Sequence, residues 1–162
     1  MEYIETLQQG FAAQFGYAPQ RFFSAPGRTE LGGNHTDHQQ GCVLAAAVEL
    51  DTRAAVTLSG TRTIRLLSEG YPLLEISLDD LTVHADEKNT TAALIRGVAA
   101  GFARRGVAPG GFDAYVTSSV LPGSGLSSSA AFEVLLGTVM NVLFSGGLDA
   151  VEIARISWAV GW

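Results

Sequence analysis

The sequence is poor in cysteine, in lysine and in long apolar runs, and each shortage excludes a class of protein. Cys42 is the only cysteine, so neither an intrachain disulfide nor a cysteine-based metal cluster can form. Lys88 is the only lysine among 10 basic residues, and 16 acidic residues bring the formal net charge to −6. This balance disfavours nucleic acid and anionic membranes as partners. No uncharged apolar stretch reaches the roughly 18 residues of a membrane span, and the acidic start is unlike a signal peptide, so we expect a cytoplasmic protein.

Apolar residues make up 47% of the 162 residues, enough for one compact domain with a substantial core. Helical spacing of apolar residues predicts helices over 2–16, 86–105 (capped by Asn89 or Thr90) and 128–144, and a fourth capped by Asp149. Short runs rich in β-branched and aromatic residues predict strands over 21–25, 43–58, 63–67, 73–78 and 112–117. Pro26-Gly27 is expected to end the first strand, and the strands between 43 and 78 are expected to pair as an antiparallel meander.

A glycine- and serine-rich segment, Leu121 to Ala131, precedes the long apolar helix. Glycines let several backbone N–H groups approach one anion, and the helix adds its positive dipole end and its unpaired first-turn donors. The segment therefore predicts a phosphate-binding loop. It lacks the lysine of the G-x-x-x-x-G-K-[ST] pattern, so neutralising charge must come from a metal ion, an arginine or the backbone. An alternative stays open, in which the glycines only turn the chain and a serine caps the helix.

A second polar segment, residues 25–38, reads A-P-G-R-T-E-L-G-G-N-H-T-D-H. A carboxylate such as Asp37 accepts hydrogen bonds from paired sugar hydroxyls, and imidazole and amide groups orient other hydroxyls. The guanidinium of Arg28 can neutralise charge at a transferring phosphoryl group. His35 and His38 flank Asp37, but three residues apart outside a helix and without a thiol partner they make a poor metal site.

The two segments resemble motifs of the galactokinase branch of the GHMP small-molecule kinases. Residues 27–38 are similar to the family motif G-R-x-N-L-I-G-E-H-T-D-Y, and Gly41-Cys42-Val43-Leu44 matches the G-x-V-L that follows it. Residues 122–130 approximate the phosphate loop P-x-G-x-G-L-S-S-S-A, with one residue fewer between the proline and the second glycine. The resemblance covers nearly all of the chain, although the middle strands are matched only by their order.

The resemblance implies an α+β fold of the ribosomal protein S5 domain 2-like type, in which helices pack on a mixed or antiparallel sheet. Residues 1–162 would form a single N-terminal domain of a GHMP kinase, with the C-terminal domain absent. The implied activity is ATP-dependent phosphorylation of galactose or a related sugar at its anomeric hydroxyl, with ATP and Mg²⁺ as cofactors.

The resemblance also implies roles for individual residues. Arg28 would be the active-site arginine, and Ser129 would reach Mg²⁺ through its hydroxyl. The residues that would bind the sugar are Glu30, Asn34, His35 and Asp37. The residues that would wrap the ATP phosphates are Gly123, Ser124, Gly125, Leu126, Ser127, Ser128 and Ser129.

The chain departs from the family pattern in two places. Glu30 and Asn34 stand where the family has asparagine and glutamate. Residues four apart in an extended segment face the same side of it. The exchange therefore keeps one carboxylate on that side but moves it to the other of the two positions. This leaves the identity of the sugar open. The second departure is the absence from the sequence of the G-x-M-D-Q motif, whose aspartate is the family's catalytic base, and of a clear match near Trp158 to its metal-binding glutamate. We therefore expect this chain alone to turn over sugar negligibly, and its uncovered apolar surface to favour self-association.

Two other functions are compatible with parts of the pattern. A non-catalytic module that binds sugar and ATP to regulate transcription, as some members of this branch do, would account for the missing base. An S5-like fold could also bind RNA, but the acidic balance and the single lysine argue against it.

Overall fold

The structure is a computed structural model that describes residues 2–33, 42–121 and 123–160. Its helices are α1 (Glu2–Phe15), α2 (Thr91–Ala103), α3 (Ser128–Leu143) and α4 (Ala150–Val160), with a short 3-10 helix at Ala85–Glu87. Its strands are β1 (Arg21–Gly32), β2 (Leu44–Leu58), β3 (Thr63–Ser68), β4 (Leu74–Ser77) and β5 (Phe112–Ser118). No helix of the described part is long and apolar enough to cross a membrane.

The five strands form one mixed sheet in the order β1-β2-β5-β3-β4. Three neighbouring pairs are antiparallel, and β3 pairs with β5 in parallel. The sheet and its helices confirm the expected α+β class. The predicted meander is wrong at one point, because β5 lies between β2 and β3 and keeps these two sequential strands apart. Only β3 and β4 form the expected local hairpin.

The first strand is longer than its sequence predicts. Pro26 and Gly27 do not end β1, which continues to Gly32 along β2. Proline lacks an N–H group, but β1 is at the edge of the described sheet and its register shifts between Pro26 and Arg28, so the missing donor is tolerated there. The extension places Arg28 and Glu30 on the strand, between two register shifts.

The two faces of the sheet carry different helices. Ala54 and Val56 of β2 belong to the main core, which α2, α3 and α4 cover. The residue between them, Ala55, packs on the other face against Leu7 and Phe11 of α1. Alternating sides of one strand therefore serve two separate apolar layers, as the two-residue period of a strand requires.

The helix boundaries follow side-chain caps that the sequence predicts. Thr90 Oγ accepts a hydrogen bond from the Ala93 N–H at 3.3 Å, and the Asp149 carboxylate accepts one from the Glu152 N–H at 2.9 Å. The second helix begins at Thr91, later than predicted, because Asn89 has a φ of 63° and interrupts the helical path after the 3-10 turn. The N-termini of α2 and α3 both border the cavity described next.

Candidate active site

The predicted phosphate loop connects β5 to α3 through several left-handed residues. Gly123 and Gly125 each have a φ of 76°, and Ser127 has a φ of 55°. A Cβ added at either glycine would meet nothing within 4 Å, so the backbone angle, and not a lack of room, is what requires glycine there. Left-handed residues that alternate with others turn successive N–H groups toward one side, which is how backbone concavities bind anions.

Ser124 shapes this loop from within. Its N–H and its hydroxyl both donate to the carbonyl of Leu121, at 3.2 and 2.6 Å. Because both donors are used inside the turn, Ser124 contributes to the loop mainly by fixing its curvature.

The arginine of the first motif lies against the phosphate loop of the second. The Arg28 backbone N–H donates to the Leu126 carbonyl at 3.1 Å, and the Arg28 Nε donates to Ser127 Oγ at 3.1 Å. Gly27 makes this approach possible, since a Cβ there would lie 3.1 Å from the Leu126 carbonyl oxygen and from a methyl carbon of Val120. The two motifs are about 100 residues apart in sequence and form one site.

The start of α3 keeps its backbone donors available. Ser127 occupies the N-cap position but makes no capping hydrogen bond with its side chain, since its hydroxyl accepts from Arg28 instead. The first-turn N–H groups of a helix have no intrahelical carbonyl partner and carry the positive end of the dipole. An anion at the loop would therefore meet uncapped donors.

A cavity of about 810 Å³ borders the loop at Leu121 and the start of α3. Ser128 and Ser129 line one end of it, and the Thr52 and Ser118 hydroxyls, 2.8 Å apart, lie in its wall. Its apolar lining residues include Leu74, Leu94, Val116, Val120 and Phe132. A cleft of this size and character suits a small organic ligand with a polar end at the serines.

The far wall of the cavity was not predicted from the sequence. It comes from the β3–β4 turn, with Glu69 and Tyr71, and from the segment before α2, with Asp86 and Glu87. The Arg96 guanidinium beside Glu87 lowers the pKa of that carboxyl, which keeps it ionised. These residues carry no recognisable motif, and only the sheet order brings them to one place.

Two carboxylates, one buried and one partly buried, lie close to the site. Burial raises the pKa of Glu133, which is on α3 one turn after Ser129, to about 7. Asp51 accepts from Ser24 Oγ at 2.6 Å and from Arg53 Nε at 2.8 Å through Oδ2, while its Oδ1 is buried without a hydrogen-bond partner in the described part. The backbone of Asp51 also bonds to Ser119 at the start of the loop, so it supports the loop from β2.

The predicted sugar ligands are only partly described. Glu30 is exposed on β1, paired in register with Ala45 of β2. The positions of Asn34, His35 and Asp37, like that of His38, lie outside the described residues. Ser129 is exposed at the start of α3, and the described part of the chain holds no cluster of three histidine, cysteine, aspartate or glutamate side chains that could bind a metal.

Comparison with known families finds two matches in this chain. Residues 9–58 match the family model of the galactokinase galactose-binding signature, and residues 93–161 match that of the GHMP kinases N-terminal domain. A galactokinase of Lacticaseibacillus casei strain BL23 is 35% identical over 153 residues, which are 92% of this chain and 39% of that protein. A galactokinase of Lacticaseibacillus paracasei matches to the same extent. The chain thus spans about two fifths of the length of the curated relatives it matches.

Solved structures share the fold. The galactokinase of Lactococcus lactis, determined in complex with galactose, superposes with a TM-score of 0.89 at 27% identity over 98% of this chain and 42% of that chain. The mevalonate kinase of Methanococcus jannaschii, at 16% identity over 86% of this chain and 45% of its own, shares the fold with a TM-score of 0.73. The chain belongs to the galactokinase family, and its fold is that of the N-terminal domain of GHMP kinases.

Proposed function

We propose that this chain is the sugar- and ATP-binding part of a galactokinase-type sugar 1-kinase, which transfers the γ-phosphoryl group of ATP to the anomeric hydroxyl of galactose or a related sugar. The observation that carries the proposal is the contact of Arg28 with Ser127 and Leu126, because it joins the motif expected to bind sugar to the loop expected to bind phosphate. The family matches support a sugar kinase, and the L. lactis relative was determined with galactose bound.

We assign the two ligands to different parts of this site. The cavity beside Ser128 and Ser129 would hold the nucleoside, and the segment that follows Arg28 on β1 would hold the sugar. Phosphoryl transfer requires mainly positioning and charge neutralisation, so a loop between the two sites is where the transferring group belongs.

The loop fits a polyphosphate on its own evidence. It has two left-handed glycines with open space beside them, and it leads into a helix whose first turn is uncapped. Gly123, Gly125 and the first residues of α3 would wrap the phosphates through their N–H groups, while Arg28 would neutralise charge on the side of the sugar. Ser129 would contribute its hydroxyl to Mg²⁺, which prefers oxygen ligands and retains several waters. When bound, MgATP supplies two things: ATP brings the phosphoryl group, and Mg²⁺ brings positive charge that offsets the negative phosphate oxygens.

In the family, the aspartate of the G-x-M-D-Q motif accepts the proton of the sugar hydroxyl. This sequence contains no counterpart of that aspartate. We therefore expect the 162-residue chain to bind both ligands without appreciable transfer. A cytoplasmic location without nucleic-acid or membrane partners belongs to the same proposal, supported by the net charge of −6 and the lone cysteine.

The proposal is tested by titrating the chain with galactose and with a non-hydrolysable ATP analogue by calorimetry. Gly125→Ala should weaken the analogue at least tenfold and leave galactose unchanged, because alanine disfavours a φ of 76°. Gly106→Ala is the matched control: its φ is 79° and its added Cβ also meets nothing within 4 Å, but it follows α2 away from the loop. Equal losses in the two variants would refute the assignment of the loop.

A coupled assay for ADP release tests whether the chain alone transfers the phosphoryl group. Binding of both ligands without sugar-dependent ADP release is expected of the chain alone and is also what a regulatory sensor would show. Robust release would refute our expectation that the missing aspartate is essential. Self-association is checked by sedimentation, since Leu31, Leu44 and Leu121 each expose about two thirds of their surface (64%, 65% and 66%).

A further inference from the structure

Arg96 is a buried arginine of α2 whose described hydrogen bonds all go to one segment, residues 77–90. Its Nε and Nη2 donate to the two carboxylate oxygens of Glu87 at 2.9 and 2.8 Å. Its Nη1 donates to the carbonyls of Ser77, at 3.4 Å, and Asp80. The side chain is only 9% exposed, so this fork is held in a fixed position.

The part of that segment that follows Leu81 has little else to hold it in place. Residues 82–90 include no buried side chain, and Leu81 is the nearest residue that packs against the main core. The remaining side-chain bonds within it are local, such as those of Thr82 and His84 to the Asp80 carboxylate. Segments with few apolar contacts open at low free energy, so the position of residues 82–90 depends on the arginine.

The same segment forms a wall of the cavity next to the phosphate loop. Asp86, Glu87, Asn89 and Thr90 line it, and Glu69 adds a further carboxylate from the β3–β4 turn. Without Arg96, Glu87 would present a third uncompensated negative charge to a ligand that is itself an anion. The guanidinium therefore both fixes this wall and neutralises part of it.

We propose that Arg96 is a positioning residue for the nucleoside end of ATP: it holds residues 82–90 as the wall against which the nucleoside binds. The inference rests on the proposed function of the cavity. It assigns to Arg96 the preference for a nucleoside triphosphate over a bare triphosphate, whereas the phosphate loop binds the chain of phosphates common to both.

The test compares ATP with inorganic tripolyphosphate, both at the same excess of Mg²⁺, by calorimetry on the whole 162-residue chain. In Arg96→Met the affinity for ATP should fall about tenfold toward that for tripolyphosphate, while the affinity for tripolyphosphate stays the same. Arg96→Lys keeps the charge but not the two-pronged geometry and should recover part of the preference.

Arg62 provides a matched control. Its guanidinium also binds a carboxylate and two carbonyls, those of Asp79, Leu78 and Pro109, but none of these three partners lines the cavity, whereas Glu87, the carboxylate partner of Arg96, does. Arg62→Met should therefore keep the preference for ATP. Hydrogen exchange in the absence of ligand adds a second readout: the N–H groups of Glu87 and Thr90, which bond to carbonyls within the segment, should exchange faster in Arg96→Met alone.

The outcomes distinguish a failure of this inference from a failure of the proposed function. An unchanged preference for ATP in a folded Arg96→Met chain overturns the inference alone, and so does an equal loss of both ligands, which would indicate general destabilisation. A wild-type chain that binds neither ATP nor tripolyphosphate overturns the proposed function and this inference with it.

Discussion

Glu133 makes the stability of this domain depend on pH in an unusual direction. Its side chain is buried on α3, only 5% exposed, and no hydrogen bond to it is formed by the described residues. Burial without a compensating donor disfavours the carboxylate, which raises its pKa from 4.5 to about 7. In the unfolded chain the same group ionises near its ordinary value.

The sign and size of the effect follow from this shift. Below pH 4.5 the carboxyl is neutral in both states, and its full contribution to stability is present. As the pH rises from there to about 7, the unfolded state loses the proton first, and the free energy of unfolding falls. At about 1.4 kcal/mol per pKa unit the loss is at most about 3 kcal/mol, and partial solvation of the carboxylate reduces it to about 1–3 kcal/mol.

Glu133→Gln removes this titration and nearly preserves the shape of the side chain. Its advantage over the wild type should increase by about 1–2 kcal/mol between pH 5 and pH 8.5, or by several degrees in Tm for a chain of this length. Urea unfolding at the two pH values measures it. Glu5→Gln, at an exposed position of α1, is the control and should show no such increase. A difference between Glu133→Gln and wild type that stays constant with pH would refute the reasoning.

Three further predictions concern packing and the site. Asp113 is fully buried and bonded to the Arg65 fork, so Asp113→Asn should lower the free energy of unfolding by about 2–3 kcal/mol in urea titrations, and a loss below 0.5 kcal/mol would contradict the pairing. Gly101→Ala would place a Cβ 2.5 Å from a methyl of the α4 isoleucine that faces it. It should cost about 1–2 kcal/mol despite better helix propensity, and thermal unfolding checks this. Arg28→Met should weaken the ATP analogue several-fold in calorimetry, whereas Arg21→Met, at the other end of β1, should not.

The helices were more predictable than the sheet because their signals are local. Thr90 and Asp149 precede runs with helical spacing, and each caps a helix as predicted. Strand order depends on contacts between distant segments, and nothing in residues 59–78 indicates that β5 would insert beside β3. Pro26 was misleading for a related reason: it ends a strand only where its missing N–H is needed, and an edge with a register shift does not need it.

The candidate site also has parts that the sequence predicts and a part that it does not. Its loop and its arginine belong to compact motifs, and the structure brings Arg28 and Ser127 together. The cavity wall that Arg96 holds was not predicted, since an arginine within an apolar helical run indicates a solvent-exposed position unless a partner is known. Its partner, Glu87, is nine residues earlier and in a segment without a regular pattern.

The contact between Arg28 and Ser127 also explains why a serine at this N-cap is compatible with phosphate binding. A serine there usually bonds to an N–H of the first helical turn, which would occupy a donor that an anion needs. Here Ser127 has a left-handed backbone and its hydroxyl accepts from Arg28, so that competition is removed. The arginine therefore acts on the loop twice: it brings positive charge, and it keeps the first turn of α3 open. Loss of Arg28 would free the Ser127 hydroxyl to cap the helix, so the expected weakening of the ATP analogue in Arg28→Met includes a contribution from restored capping, and Ser127→Gly in that background should recover part of the affinity.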